Sequence, residues 1–125
     1  MAIMLQGNFY TILTNQAKAD SINLLLELNP DHHIFEGHFP QVPVVPGVCM
    51  MQMVKELVED FTGLRLRLAK ADHLKFLTII NPHENKLLQV DIAIISNSSQ
   101  GIQVTAAFFR QETVFFKFKG GFVVE

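Results

Sequence analysis

One histidine in this chain stands in a stiff backbone setting. In the stretch 36–52, EGHFPQVPVVPGVCMMQ, His38 is followed by prolines at positions 40, 43 and 46. Each proline fixes its own φ and restricts the residue before it. A neutral imidazole near its ordinary pKa of about 6.5 suits the work of a base at neutral pH. Pro46 fits the first turn of a helix, where a missing N–H costs nothing. Gly47 puts no side chain in the way of a ligand approaching that backbone. A helix N-terminus offers unpaired N–H groups and the positive end of the helix dipole, which together suit negative charge developing on an oxygen. Gln52 is the polar interruption in the apolar run that follows. Its amide donates and accepts hydrogen bonds but delivers no proton at neutral pH. Glu56, four residues on, shares the same helix face, about 5.4 Å farther from the helix start.

Each of these residues also has a plainer reading. His38 can be a turn histidine satisfied by backbone bonds, Gln52 a buried amide that fixes packing, and Glu56 a residue of the solvated half of the helix. His32 and His33 read as exposed loop residues, His73 as a strand residue and His83 as a turn residue. A lone Cys49 and scattered histidines make no closed ligand set, so no metal site is expected.

The elements that must position these groups follow from periodicity. Residues 9–14 (FYTILT) and 22–28 (INLLLEL) are strand-like, and Asn29-Pro30-Asp31 closes the second as a turn. A helix is expected from about Gly47 to Phe61, ending at Gly63 as its C-cap. Met50, Val54, Leu57 and Phe61 form its apolar stripe, widened by Met51 and Val58. Lys55, Glu56, Glu59 and Asp60 place its second half towards solvent. Four strands should follow over residues 64–78, 87–96, 102–110 and 114–124, the last two connections being hairpins. Lys70 and Asp72 break the apolar alternation of the first of these, which points to a bulge or a polar site. Two strands, one buried helix and four strands make an α+β layer in which one curved, mainly antiparallel sheet packs on one helix. Strands apolar on both faces imply that the outer face is covered, most simply by a second copy of the chain.

Composition bounds the function. The 125 residues suit a single domain spanning 1–125 with one sizeable core. Hydrophobic residues at 49% and charged residues at 18% exclude intrinsic disorder. No apolar run approaches the roughly 20 residues that cross a bilayer, and the first ten residues lack the pattern of a signal peptide. A single cysteine allows no internal disulfide, which fits a cytoplasmic protein. A net charge of −2 without a basic block argues against a nucleic-acid partner. Eleven phenylalanines supply an aromatic core or line an apolar cavity.

The pattern His38-Phe39-Pro40, then Pro43, then Pro46-Gly47-Val48, resembles the hallmark of the 3-hydroxyacyl-acyl-carrier-protein dehydratases, hot-dog-fold enzymes of fatty-acid synthesis. Lys75-Phe76 followed by Pro82 and a hydrophobic strand is similar to that family's next segment. The resemblance implies a hot-dog fold, a long central helix wrapped by a curved sheet of about six strands. It implies a homodimer or a trimer of dimers, with the acyl chain in a tunnel at the dimer interface. The substrate would ride on the phosphopantetheine of an acyl carrier protein or of CoA, with no further cofactor. Carried over by position, His38 is the catalytic histidine, and Gly47 and Val48 are the backbone donors to the thioester carbonyl. Gln52 stands where the family has an Asp or Glu on the partner's helix, and Glu56 is the candidate substitute acid. Arg65, Arg67, Lys70 and Lys75 give positive density for docking an acidic carrier, although charges on a strand edge also guard against edge pairing. Three readings follow: a dehydratase-like lyase, a hot-dog acyl thioesterase using the same helix-start donors, and a non-catalytic acyl-carrier binding or partner subunit.

Overall fold

The computed structural model describes residues 4–36 and 43–125; residues 1–3 and 37–42, with His38 among them, lie outside the described residues. Strand β1 (Tyr10–Ala17) and strand β2 (Ser21–Leu28) form a hairpin closed by Lys18 N–H donating to the Ser21 carbonyl at 2.8 Å. A 3-10 turn, His33–Phe35, follows, and then helix α1 (Gly47–Thr62). Strands β3 (Leu66–Phe76), β4 (Leu87–Ser98), β5 (Gly101–Arg110) and β6 (Thr113–Val124) complete the chain. The six strands form one sheet in the order β1-β2-β4-β5-β6-β3, with every neighbouring pair antiparallel.

The core lies between the inner face of this sheet and α1. Alternation along β2 turns Ile22, Leu24, Leu26 and Leu28 inward, and β5 does the same with Ile102, Val104, Ala106 and Phe108. Against them α1 buries Met50, Met53, Val54, Leu57 and Val58. The helix stops at Gly63, whose φ of 73° is a left-handed conformation that glycine adopts without strain, with its N–H on the Glu59 carbonyl at 2.8 Å. Glu59 also accepts the Leu66 N–H at 2.8 Å, so the helix end sets the start of β3.

Two expectations need correction. Glu56 does not reach solvent; it is only 2% exposed. The four-residue spacing that puts it on one face with Gln52 also carries it under the N-terminal segment. The outer face of the sheet is mixed rather than apolar throughout: Asn23, Asp91, Thr105, Lys117 and Lys119 stand outward beside small residues. Exposed large apolar side chains gather along β3, the segment after it and the helix start, at Val48, Leu68, Leu74, Phe76, Leu77 and Ile79, with Leu13 on β1 and Ile95 on β4 exposed as well. Apolar strand content alone does not separate an outer face from an unpaired edge. The expected irregularity near Lys70 is present: register shifts between Leu68 and Lys70 and between Ala71 and His73 interrupt the β3–β6 ladder.

Candidate active site

Val45 donates its N–H to the Ile80 carbonyl at 2.9 Å, which anchors the approach to α1. Pro46 is the N-cap, extended at φ −63° and ψ 146°, and supplies no capping side chain. Its carbonyl accepts the N–H groups of Cys49 at 3.0 Å and Met50 at 3.3 Å. The N–H groups of Gly47 and Val48 come too early in the helix for an intrahelical acceptor. Among the described residues none takes them, and the first turn carries no acid. This end of α1 therefore presents two donors and a positive partial charge.

These donors border a groove of about 520 Å³ between α1 and the β3 edge, lined by Gly47, Val48, Met51, Gln52, Lys55, Leu68, Leu74, Phe76 and Phe122. The groove brings Gly47, Val48 and Gln52 together, as the sequence suggests. Glycine at position 47 has a packing neighbour besides. A Cβ there would lie 2.8 Å from the Phe76 ring carbon Cζ, so the aromatic ring occupies the space a side chain would need. Phe76 in turn stacks on Phe116, with ring centroids 5.0 Å apart. A larger residue here would have to displace the half-exposed Phe76 ring, so packing against β3 favours the glycine as well.

Gln52 and Val48 also line a second cleft, of about 850 Å³, on the other flank of the helix start. His32, His33 and Ile34, at the 3-10 turn, line it as well. His32 accepts the Ile34 N–H on Nδ1 at 3.1 Å and meets the Phe9 ring edge-on at 5.3 Å, so it is a capping residue rather than a free loop histidine. Burial, and then the neighbouring His33, hold its pKa below the ordinary value. Burial pushes the Cys49 thiol up to about 11, which leaves it unreactive at neutral pH.

Glu56 is the hub of a buried network that the sequence does not announce. Its Oε2 accepts the Leu5 N–H at 2.8 Å and the Gln52 Nε2–H at 2.9 Å. Its Oε1 accepts the Gln6 N–H at 2.9 Å and the Tyr10 hydroxyl at 3.1 Å. Desolvation, followed by the Glu56 charge and hydrogen bond, raises the Tyr10 phenol far above its usual value and keeps it a donor. Four donors thus fill the acceptor sites of one carboxylate. Glu56 ties the N-terminal segment to α1 and holds the Gln52 amide.

The cations singled out in the sequence do not form one patch. Arg65 flanks the helix end, beside Gly63 and Leu64. Lys70 pairs with Asp72 at 3.2 Å in an exposed contact, and exposed pairs contribute little. Arg67 is exposed on β3, and Lys75 faces the outer side of the sheet. There it stands opposite Lys117, while His73 stands opposite Lys119, in a shallow cleft of about 540 Å³ floored by Ala93, Thr105 and Ala107. Lys117 and Lys119 escaped the sequence reading. Their two-residue spacing between phenylalanines in FFKFK places both on one face, and the β3–β6 register then pairs them with Lys75 and His73. Among the described residues no group of three or more His, Cys, Asp or Glu is placed to hold a metal ion, and no helix is long and apolar enough to cross a membrane.

Comparison with known proteins bears on the family and the fold. A family model described as ApeI-like, ApeI dehydratase, matches residues 14–115. A 3-hydroxyacyl-[acyl-carrier-protein] dehydratase FabZ from Caldanaerobacter subterraneus subsp. tengcongensis is 31% identical over 65 residues, spanning 46% of this chain and 46% of that relative. The FabZ of Levilactobacillus brevis is 23% identical over 126 residues, covering 86% of this chain and 85% of that one. Among solved structures, a chain of the dehydratase heterocomplex ApeI:P from Xenorhabdus doucetiae superposes with a TM-score of 0.76 at 18% identity, over 90% of this chain and 96% of its own. The fold is the hot-dog fold.

Proposed function

This chain belongs to the ApeI-like dehydratase family, and from that premise we propose that it acts on 3-hydroxyacyl thioesters, removing water to give 2-enoyl thioesters. The observation that carries the reading is the meeting of the Gly47 and Val48 N–H groups with the Gln52 amide in one apolar groove. The thioester carbonyl sits at the helix start, where the two N–H groups and the dipole stabilise the enolate oxygen. His38 of a partner copy, outside the described residues, removes the C2 proton. Gln52, in the same groove as the two donors, holds the C3 hydroxyl, which leaves as water by taking that proton back from the His38 imidazolium. The acyl group follows the apolar wall of Leu68, Leu74, Phe76 and Phe122. The substrate is carried on phosphopantetheine, of an acidic carrier protein or of CoA, in the cytoplasm, and no other cofactor is needed. General acid catalysis is typically worth about 10²–10⁴-fold, so a chain with an amide at this position is a slow dehydratase.

A second reading has its own support. Neither Gln52 nor the saturated Glu56 carboxylate has a proton to spare for the leaving hydroxyl. That favours an acyl-thioester binding subunit whose acid comes from a different chain, and one structure of this fold is a dehydratase heterocomplex. The two are separated by giving the purified chain a 3-hydroxyacyl pantetheine thioester. Enoyl product that disappears with His38→Ala supports the enzyme. Tight binding without turnover supports the subunit, and free thiol without enoyl product points to a thioesterase.

A further inference from the structure

The Gln52 amide is not free to choose which end it shows the groove. A carboxylate only accepts hydrogen bonds, so the amide must turn Nε2 towards Glu56, and the 2.9 Å contact follows. Flipping the amide would set two oxygens against each other in a buried place, since Glu56 is 2% exposed. Nor can the carboxylate swing away, because the Leu5 and Gln6 N–H groups and the Tyr10 hydroxyl hold both of its oxygens. Glu56 lies one helical turn towards the C-terminus. Gln52 lines the groove together with Gly47 and Val48, and with Nε2 directed towards Glu56 its carbonyl oxygen Oε1 is the end of the amide left to face away from that turn. Among the described residues Oε1 accepts no hydrogen bond.

We propose that Glu56 is a positioning residue that locks the Gln52 carboxamide with Oε1 towards the helix start, so that the groove selects acyl groups carrying a hydrogen-bond donor at C3. The inference rests on the thioester reading above and deepens it. A 3-hydroxyacyl group donates its O–H to Oε1. A 3-oxoacyl group of the same length brings only acceptor lone pairs to the same place and is rejected. Discrimination by a site built for one hydrogen-bonding pattern is commonly strong, because the wrong ligand leaves polar groups unpaired.

The test uses 3-hydroxyacyl and 3-oxoacyl pantetheine amides, in which nitrogen replaces the thioester sulfur and the less acidic C2–H suppresses elimination. Calorimetric titration of the native chain should show the hydroxy ligand binding about tenfold more tightly than the oxo ligand. In Glu56→Gln the neighbour can donate as well as accept, the Gln52 amide is free to flip, and the ratio should fall to within about twofold. Should Glu56→Gln fail to fold, Gln52→Met, which leaves the clamp on Leu5, Gln6 and Tyr10 in place, must abolish the preference instead. A purely structural Glu56 would lower both affinities in parallel and keep their ratio, which overturns the inference. So does a preference that survives Gln52→Met. If neither ligand binds the native chain, the thioester reading itself fails and takes the inference with it; binding of both ligands with equal affinity removes the inference alone.

Discussion

At the scale of single residues, the site is governed by who holds whom. Gly47 packs against the ring of Phe76, and Gln52 is held by Glu56. Ile34 is capped by His32. The last contact makes a titration prediction. The Nδ1 of His32 must be unprotonated to accept the Ile34 N–H, and the folded chain holds its pKa below the unfolded value of about 6.5. Between those two values the unfolded chain binds more protons than the folded one. Stability therefore falls as pH drops below about 6.5 and is at its full value above it. Urea unfolding at pH 7.5 and pH 5.5 should show this slope, and His32→Asn, which can still cap through its side-chain oxygen, should flatten it. An unchanged slope would remove His32 as its source. The residues on the groove side of α1 were legible in the sequence, because helical periodicity fixes which positions share a face. The burial of Glu56 was not, because it depends on residues 5, 6 and 10 folding back over the helix, a contact separated by about fifty positions that no local pattern encodes.

At the scale of elements, β3 decides how the molecule meets its neighbours. It is an eleven-residue edge strand paired, among the described residues, on one side only, with Leu68, Leu74 and Phe76 exposed along its groove-facing flank. A long open edge with apolar side chains invites pairing with another chain. A second copy placed there would cover the groove and complete it with residues of the partner. We expect the native chain to sediment as a dimer and Leu74→Lys to shift it towards monomer. A native chain that sediments as a monomer at micromolar concentration would contradict the homodimer. Strand count and helix position were readable from alternation and turn chemistry, and the break in alternation near Lys70 left a bulge or a polar site open, of which the register shifts show the bulge. The sheet order was not, since β3 joining the far edge beside β6 is a long-range pairing that alternation does not specify.

At the scale of the whole molecule, charge separates a carrier-binding reading from one in which free thioester suffices. The outer sheet face sets Lys75 opposite Lys117, a like-charge pair that costs stability unless an anion shares it, with Lys119 two residues along on the same face. Reversing both charges with Lys117→Glu and Lys119→Glu should raise KM several-fold for carrier-borne substrate at low ionic strength. It should leave a small pantetheine substrate unchanged, and the difference should shrink as salt is added. Equal effects on both substrates would assign these lysines to solvation. The central claim, that the helix-start groove is a dehydration site lacking its acid, is tested most directly by restoring one. Gln52→Glu places a second carboxyl beside Glu56, and two carboxyls so close share a proton, which supplies the missing donor. Measured as enoyl thioester formed from a 3-hydroxyacyl thioester, the rate should rise by about 10²-fold or more over the native chain and be lost again when His38→Ala is added. A folded Gln52→Glu variant that gains no rate, or gains one indifferent to His38, would contradict the account.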